Sequence, residues 1–416
     1  MTSHHLHKYS PETVALTYEE IRNALDGTKL PCAFVDLDAF DRNLERHLAI
    51  LRPRGTPLRL ATKSVRVPAL IRRALSREGV RGLMCFDVDE AAALAGEGLD
   101  DLLVAYPTLQ PDKLATLAEL AHAGKNVSLA IDSEEAAAAM DRAGSARGTT
   151  LRAVLCLDMA LEKLGGRVHL GVRRSPLRTP EETLALARSI RDKRGVVLHG
   201  LLAYEAQVAG MGDDSPFQRS QNRVKRWIRR ASVVDVAARR AAIAKALRDE
   251  GFELALVNGG GTGSLDTTTP ESGVTEVAAG SGLFKPHLFD YYRAPYMREL
   301  EPAAFFALEV VRRPSPEVVT CGGGGYVASG SVGPDKAPLP WLPRGLRLLP
   351  MEMAGEVQTP LDVREAEAPL ALGDRVVFRH AKAGELMERF AEVLLVERGR
   401  IVERVPTYRG RGWCFP

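Results

Sequence analysis

The sequence predicts an α/β fold in which a TIM-like (β/α)8 barrel precedes a C-terminal antiparallel β domain. Between about residues 30 and 290, short apolar runs alternate with helical patterns, as in a parallel sheet or barrel. After about residue 300 helical patterns become rare, and Gly and Pro turns separate the apolar runs, which is typical of antiparallel strands. The length of 416 residues exceeds one ordinary core and fits two domains.

Eight apolar runs are candidate strands for the first domain. We expect seven of them in the barrel, with the first run or an additional element closing the ring. The candidate strands are residues 32–36, 58–62, 82–86, 101–105, 127–131, 152–157, 197–202 and 254–257. Helices are expected between them at residues 67–76, 88–96, 134–142, 180–191 and 232–249.

Three further apolar runs, at residues 305–311, 375–378 and 391–396, are the expected strands of the β domain. We therefore divide the chain into an N-terminal segment (1–29) that packs on the β domain, the barrel (30–298) and the β domain (299–416). The Gly-rich run 321–326 and the Pro- and Gly-rich stretch 330–343 are expected to be ordered loops over a site.

Composition excludes several classes of function. The net charge of +3 is small for this length, so we expect no nucleic-acid partner and no acidic membrane partner. The basic run 223–230 fits a helix with a solvated, charged face. Five scattered cysteines without C-x-x-C spacing indicate a reduced, cytoplasmic setting, and no run reaches the apolar length of a membrane span.

Lys63 is the first candidate for chemistry. It follows an alternating run that begins after the turn residues 53–57, so it is expected at the C-terminal end of a barrel strand, where barrel enzymes keep their catalytic groups. A lysine there can lose its proton by desolvation and attack an aldehyde, whereas an arginine could not. Alone, this signal is weak, because most lysines after strands are solvated.

Two glycine-rich segments are candidates for binding a phosphate. Residues 258–264 follow one apolar run, and residues 276–284 contain another strand followed by Gly-Ser-Gly. Glycines allow a phosphate to approach the backbone closely, and Thr262, Ser264 and Ser281 can add hydroxyl donors. Either segment alone could be an ordinary turn, but together they predict a phosphate cup after the last two barrel strands.

The order of these parts resembles the alanine racemase-like, fold-type III family of pyridoxal phosphate enzymes. Within that family it is most similar to the branch of D-threonine aldolase and D-serine dehydratase. The resemblance covers most of residues 30–400. It rests on the segments 58–64 with Lys63, 198–205 with Tyr204, 257–263 and 276–284.

The resemblance implies that pyridoxal phosphate forms an aldimine with Lys63 and that Tyr204 lies beside the cofactor. Its phosphate would bind to Gly260, Gly261, Thr262, Gly263, Gly280, Ser281 and Gly282. Either Arg167 or His169 would contact the cofactor ring or a carboxylate, and we favour Arg167.

The sequence departs from the branch at His380 and Lys382. Relatives carry His-x-Asp or His-x-Cys there, which binds a divalent metal beside the substrate's β-hydroxyl. A protonated lysine repels a cation, so a divalent metal is doubtful. Either the Lys382 ammonium replaces the metal charge, or His380 recruits Glu352, Glu356 or Glu385 as another ligand. We favour the first, and a plain surface role for both residues stays open.

The resemblance implies a lyase, an aldolase or a deaminating dehydratase, that acts on a β-hydroxy D-amino acid and works as a homodimer. Lys63, His380 and Lys382 are the expected catalytic residues. An amino-acid racemase is the alternative. It would need a second base on the opposite face of the cofactor, commonly a Tyr from the partner subunit's β domain, for which Tyr326 is the candidate. A decarboxylase would use Cys321, although its surroundings do not match. A non-catalytic pyridoxal phosphate carrier would need only the barrel.

Overall fold

The structure is a computed structural model and describes residues 16–415. Its strands are β1 (Cys32–Asp36), β2 (Leu58–Ala61), β3 (Val80–Cys85), β4 (Leu102–Val104), β5 (Val127–Ile131), β6 (Leu151–Cys156), β7 (Leu161–Lys163), β8 (Val168–Leu170), β9 (Val196–Leu202), β10 (Leu256–Gly259), β11 (Glu276–Ala279), β12 (Ala304–Ser315), β13 (Val318–Gly322), β14 (Leu339–Leu342), β15 (Arg347–Leu348), β16 (Gln358–Asp362), β17 (Arg375–Arg379), β18 (Glu392–Glu397) and β19 (Arg400–Pro406).

The α-helices connect the barrel strands and lead into the β domain. They are α1 (Tyr18–Ala24), α2 (Leu37–Leu51), α3 (Pro68–Leu75), α4 (Val88–Gly96), α5 (Pro111–His122), α6 (Glu134–Arg147), α7 (Pro180–Arg191), α8 (Ala206–Ala209), α9 (Asn222–Asp249), α10 (Leu265–Thr268), α11 (Ser281–Phe284) and α12 (Pro295–Glu299). Within residues 16–415, no helix is both long and apolar enough to cross a membrane.

Eight parallel strands close into the predicted barrel. Around the ring the order is β2, β3, β4, β5, β6, β9, β10 and β11, and β11 pairs with β2 to complete it. The predicted fold class is therefore confirmed. The strand at residues 276–279 closes the ring. This is the second of the two predicted alternatives, in which an additional element rather than the first run completes the barrel.

The first candidate strand, β1, does not belong to the barrel. It pairs antiparallel with β12 and parallel with β18, near the middle of the sheet that forms the C-terminal domain. All five residues of β1 are buried. A continuous buried apolar run has the same pattern in a parallel barrel and in the centre of a mixed sheet, so its sequence could not distinguish the two.

The described part of the N-terminal segment packs on this same sheet. Ile21 and Leu25 of the α1 region are buried in an apolar cluster with Phe34 and Phe305. The Tyr18 hydroxyl donates a hydrogen bond of 2.9 Å to the backbone carbonyl of Arg375. The first helix thus covers one face of the sheet of the β domain rather than the barrel.

The stretch 330–343 is not wholly a loop, because it contains β14. The basic run 223–230 lies in α9, which is longer than the sequence predicts because it begins at Asn222. Two of its cations are not on a solvated face. Lys225 lines the cavity described below, and the Arg229 guanidinium donates a hydrogen bond of 3.0 Å to the carbonyl of Gly263.

Candidate active site

A cavity of about 560 Å³ lies at the C-terminal ends of the barrel strands. Its walls include residues that directly follow barrel strands, among them Lys63, Tyr106 and Tyr204. Loops of the β domain cover one side with Asp335, Lys336, Lys382, Ala383 and Glu385. Its size is within the range of pockets that enclose a cofactor and a small substrate.

Lys63 lies in this cavity, in a single 3-10 turn (Thr62–Ser64) that follows β2 at once. The two flanking side chains are buried, and the Thr62 hydroxyl donates a hydrogen bond of 2.9 Å to the carbonyl of Met84. The neighbours thus fix the backbone while the lysine amine faces the open space. The structure therefore places Lys63 where a covalent anchor is needed.

Tyr106 is a hydrogen-bond partner of the Lys63 amine and was not singled out from the sequence. The Lys63 Nζ atom donates a hydrogen bond of 3.3 Å to the Tyr106 hydroxyl. Burial alone raises the pKa of Tyr106, but the Lys63 and Arg174 cations outweigh burial and lower it. Its position just after β4 is a signal that the same strand-end argument could have used.

The two glycine segments meet on one side of the cavity. Gly260, Gly261, Thr262, Gly280 and Ser281 line it, and the Ser64 and Ser281 hydroxyls are 3.0 Å apart. Gly260 has φ +79°, and a Cβ atom on Gly280 would lie 2.6 Å from the Ala61 carbonyl. Both places therefore favour glycine.

Two of the predicted phosphate-binding residues do not line the cavity. Gly263 packs under Tyr292, where a Cβ atom would lie 2.7 Å from the ring. Gly282 packs against the buried ring of His47, and its amide donates a hydrogen bond of 3.0 Å to the Thr262 hydroxyl. Gly263 and Gly282 thus shape the loops, while the other five residues form the surface of the cup.

A buried carboxylate supports the first glycine loop from below. Glu205 accepts hydrogen bonds from the Ser264 hydroxyl at 2.6 Å, the Thr268 hydroxyl at 2.7 Å and the Gly260 amide at 3.2 Å. Its charge is balanced by Arg240 at 2.8 Å. Glu205 ends the matching segment 198–205, but no role for it could be predicted from the sequence.

Arg174 and Arg66 line this cavity, whereas Arg167 and His169 do not. We consider Arg174, which lies beside the two tyrosines. Its guanidinium lies 5.1 Å from the centre of the Tyr204 ring and 5.8 Å from that of Tyr106. Arg167 is exposed in the turn between β7 and β8 and does not line the cavity. His169 does not line it either, because its ring faces Glu162 and Asp158. The structure therefore brings Arg174 to this cavity, and a cofactor contact of Arg167 stays a prediction.

Tyr204 lines the cavity, as the resemblance implies. Burial raises the pKa of its hydroxyl to about 12, so it stays protonated at neutral pH. A Cβ atom on Gly261 would lie 2.9 Å from the tyrosine ring, so the ring packs closely on the glycine loop. Tyr204 is thus held between that loop and Arg174.

The structure separates the two residues of the predicted metal position. Lys382 lines the cavity, whereas His380 is buried outside its lining, with its ring edge-on to Phe284. Burial lowers the pKa of His380 to about 3, so the ring is neutral at physiological pH. The structure therefore brings Lys382 but not His380 to the cavity lining, and a catalytic role of His380 stays a prediction.

A divalent metal does not fit these residues. Among residues 16–415, no group of three His, Cys, Asp or Glu side chains could hold a metal ion. Glu352 and Glu356 are exposed and do not line the cavity, and Glu385 is engaged with Lys382 and Ser329. The alternative in which His380 recruits one of these carboxylates is therefore not supported by the geometry.

The candidates for other chemistries lie outside the cavity lining. The Tyr326 ring packs against Phe306 and Phe390, at centroid distances of 5.0 and 5.6 Å. Cys321 is buried in β13, and burial raises the pKa of its thiol to about 12, which makes it a poor nucleophile. Neither residue lines the cavity of its own chain.

Comparison with known families agrees with this geometry. Residues 35–286 match the family described as alanine racemase, N-terminal domain. The chain belongs to this family. The match spans the whole ring of barrel strands, and this family implies pyridoxal phosphate as the cofactor. The lysine, the glycine cup and the tyrosine described above therefore lie on an alanine racemase-type barrel.

Relatives with curated activities are lyases rather than racemases. The chain is 28% identical over 305 residues to a D-threonine aldolase from Arthrobacter sp., covering 73% of this chain and 74% of the relative. It is 28% identical over 257 residues to a D-threo-3-hydroxyaspartate dehydratase from Delftia sp., covering 61% and 60%. The crystal structure of D-threonine aldolase from Filomicrobium marinum shares the fold, with a TM-score of 0.76 at 22% identity, covering 93% and 96%.

Pyridoxal phosphate fits the cavity of this alanine racemase-type barrel. Lys63 offers an amine at a strand end, and the glycine cup offers amides and the Thr262 and Ser281 hydroxyls without side chains in the way. Tyr204 and Arg174 offer a ring and a cation on the remaining wall. Anchor, cup and wall together are the parts that this cofactor needs.

Proposed function

We propose that this protein is a pyridoxal phosphate-dependent aldolase that cleaves β-hydroxy D-amino acids into a smaller amino acid and an aldehyde. The observation that carries the proposal is Lys63 at the end of β2, facing the cup formed by Gly260, Gly261, Thr262, Gly280 and Ser281. Similarity to D-threonine aldolase over 305 residues supports the reaction class.

The bound cofactor supplies the electron sink for bond cleavage at the substrate's α-carbon. The protein supplies everything else. Lys63 would anchor the cofactor, and its amine is placed to carry a proton to or from the substrate's α-carbon. Tyr106 holds the Lys63 amine in place through their 3.3 Å hydrogen bond. Arg174 is the cation placed to bind the substrate carboxylate.

A deaminating dehydratase is the second candidate, and Lys382 is the observation that favours it. Its ammonium lies in the same cavity as Lys63 and can donate a proton to a leaving hydroxyl group. In that reaction Lys63 removes the α-proton, and ammonia and a keto acid follow. Similarity to D-threo-3-hydroxyaspartate dehydratase supports this alternative. A carrier is less favoured because the β domain contributes to the cavity. A racemase would take its second base from the partner subunit, and the chirality readout below tests it.

The test is one incubation with several readouts. The purified protein, loaded with pyridoxal phosphate, is incubated with the D and L forms of threonine and 3-hydroxyaspartate while aldehyde, ammonia and amino-acid chirality are measured. We expect aldehyde from the D substrates alone. Ammonia without aldehyde would transfer the assignment to the dehydratase, and inversion without either product would support a racemase. No turnover of any substrate would refute all three.

Lys63 is tested in the same preparation. Borohydride reduction should fix the cofactor on a peptide that contains Lys63, and Lys63→Ala should abolish both the label and the activity. Lys245→Ala, which removes a lysine on the exposed face of α9, is the matched control and should leave both unchanged. Labelling of another lysine would contradict the assignment.

We also propose that the protein is a cytoplasmic homodimer. Large apolar side chains are exposed on loops of the β domain, among them Val332, Met351 and Val357. Free cysteines at all five positions are compatible with a reducing compartment. Light scattering of the purified protein, with Met351→Glu as a surface variant, and fractionation of the native cells test these two proposals.

A further inference from the structure

Three side chains of the β domain form a hydrogen-bonded cluster at the edge of the cavity. The Lys382 Nζ atom donates to the Ser329 hydroxyl at 2.8 Å and lies 3.6 Å from a carboxylate oxygen of Glu385. The Glu385 carboxylate in turn accepts the Ser329 hydroxyl at 2.5 Å and the Ser329 amide at 2.9 Å. We call Ser329, Lys382 and Glu385 the lysine cluster.

The lysine cluster is fixed against the Lys63 segment. Gly384 lies between Lys382 and Glu385 with φ +77°, and a methyl group there would collide with the Lys63 carbonyl oxygen. Lys382, Ala383 and Glu385 all line the cavity that contains Lys63. The loop that carries the cluster is therefore in direct contact with the backbone of the anchoring residue.

This position is the one where the resemblance implies a divalent metal, and the residues do not fit one. His380 is outside the cavity lining, and the accessible residue of the pair is a cation. A lysine ammonium disfavours the binding of another cation, but it can itself donate hydrogen bonds to a hydroxyl or alkoxide oxygen.

We propose that the lysine cluster replaces a divalent metal beside the substrate's β-hydroxyl, so that the protein cleaves its substrate without a metal ion. This inference rests on the proposed function. The Lys382 ammonium donates a hydrogen bond to the β-oxygen, and the Glu385 carboxylate accepts the β-hydroxyl proton. The electron pair of the O–H bond becomes the second C–O bond of the aldehyde. The pair of the broken Cα–Cβ bond stays with the α-carbon, where the cofactor delocalises it.

The cluster explains why both charges are needed. Glu385 alone could accept the proton, but the oxygen would then develop negative charge without a partner. Lys382 stabilises that charge in a partly enclosed site, where a fixed cation is worth more than in water. Ser329 bonds to both side chains, whose charged groups lie 3.6 Å apart. The cluster therefore provides a base and a cation at the same time.

The experiment measures metal binding and turnover separately. The protein loaded with pyridoxal phosphate is treated with EDTA, dialysed, titrated with Mn²⁺ by electron paramagnetic resonance, and then assayed with D-threonine and D-3-hydroxyaspartate. We expect no stoichiometric Mn²⁺ binding and unchanged activity after EDTA. Loss of activity with EDTA and its recovery with Mn²⁺, or one bound Mn²⁺ per chain, would overturn the inference.

Variants test the charge itself. Lys382→Gln should lower kcat by about 10²-fold to 10³-fold, as expected for the loss of one charge-stabilising donor. Lys382→Arg, which keeps the charge, should recover part of that loss, and added Mn²⁺ should rescue neither variant. Lys336→Ala, a second cavity lysine outside the cluster, is the matched control and should lose less. Equal losses in Lys382→Gln and Lys336→Ala would contradict the proposed role.

The two proposals fail in different ways. If the loaded wild-type protein cleaves no β-hydroxy D-amino acid, the proposed function fails, and the Mn²⁺ titration alone still shows whether the chain binds a metal. If the protein is active but depends on Mn²⁺, the function stands and the inference about the lysine cluster is wrong.

Discussion

The hydrogen bond between Lys63 and Tyr106 leads to a prediction at the scale of single residues. Tyr106→Phe removes the hydroxyl that holds the Lys63 amine at 3.3 Å but keeps the ring. We expect the cofactor to load normally and kcat to fall by about 10²-fold, in the range for a misplaced acid–base group. Because Lys63 and Arg174 lower the pKa of this tyrosine, the alkaline limb of the pH–rate profile should also move.

The control for this prediction is Tyr291→Phe. Tyr291 lines the same cavity, but its ring packs edge-on against Phe217. Loss of the Tyr291 hydroxyl group should leave the pH–rate profile unchanged. An unchanged profile in Tyr106→Phe, with kcat also unchanged, would show that Tyr106 does not act through Lys63.

The sequence predicted the position of some cavity residues and not of others. Lys63 follows a strand directly, so the local pattern was enough to locate it. Arg174 lies in an irregular stretch after β8, where no period fixes the direction of a side chain. At His380 the strand has just ended, and all but the first residue of β17 are buried, so no polar and apolar alternation could show which neighbour faces the cavity.

At the scale of elements, the loop after β10 depends on one carboxylate. Glu205→Ala removes the acceptor for Ser264, Thr268 and Gly260 and leaves the buried Arg240 with only part of its charge balance. Breaking a buried ion pair from one side costs about 3–5 kcal/mol, so we expect the free energy of unfolding to fall by that order. The affinity for pyridoxal phosphate should also fall, because the loop loses its support.

Urea unfolding and a spectroscopic titration with the cofactor measure these two effects. Glu250→Ala is the control, since it removes a carboxylate paired with Arg188 on the surface. We expect that variant to change neither quantity noticeably. Similar behaviour of the two variants would mean that Glu205 does not support the loop.

The turn that joins the lysine cluster to Lys63 gives a second prediction at this scale. Gly384→Ala introduces a methyl group against the Lys63 carbonyl at φ +77°. Gly373→Ala is the matched control, because it has φ +89° but open space around the new methyl group. Both variants carry the strain of a positive φ, about 1 kcal/mol, but only Gly384→Ala should displace the loop and lose activity. Equal activity in the two variants would contradict the contact.

The bounds of helices were easier to predict from the sequence than the contacts between distant elements. α4 and α7 have the predicted bounds because their polar caps and apolar periods are local signals. The role of Glu205 was missed because its partners come from α9, α10 and the loop after β10, which only the closed barrel brings together. No spacing of residues in the sequence indicates that these partners contact Glu205.

At the scale of the whole molecule, three buried histidines predict how stability depends on pH. Burial lowers the pKa of His47 and His287 to about 4 and that of His380 to about 3. The unfolded chain, with an ordinary histidine pKa, therefore binds more protons as the pH falls below about 6.5. Each histidine should lower the free energy of unfolding by about 2 kcal/mol between pH 7 and pH 5.

Two buried carboxyl groups act in the opposite direction, because burial raises the pKa of Asp36 to about 6 and that of Glu90 to about 7. The test therefore compares how much the free energy of unfolding changes between pH 7 and pH 5, rather than its value at one pH. In urea unfolding at pH 7 and pH 5, His287→Gln should lose less stability than the wild type, whereas the exposed His122→Gln should match it. Identical changes in all three proteins would refute the prediction.

The two-domain architecture as a whole followed from the sequence, because the change from alternating helices and strands to strands alone is a long-range pattern that survives local errors. The exception was β1. Its position depends on β12 and β18, whose sequences lie about 270 and 360 residues further along the chain. Burial on both faces makes such a strand look the same in either sheet.

The place of β1 also has a consequence for synthesis of the protein. The strand leaves the ribosome early and can pair with β12 once residues 304–315 are made, but its parallel neighbour β18 is made almost last, so one edge of β1 stays without its partner until translation is nearly complete. Closing so long a loop is slow compared with pairing between adjacent barrel strands. A nascent chain stalled before residue 392 should therefore hold a formed barrel beside an open sheet, which makes it a natural client for chaperones that bind exposed strands.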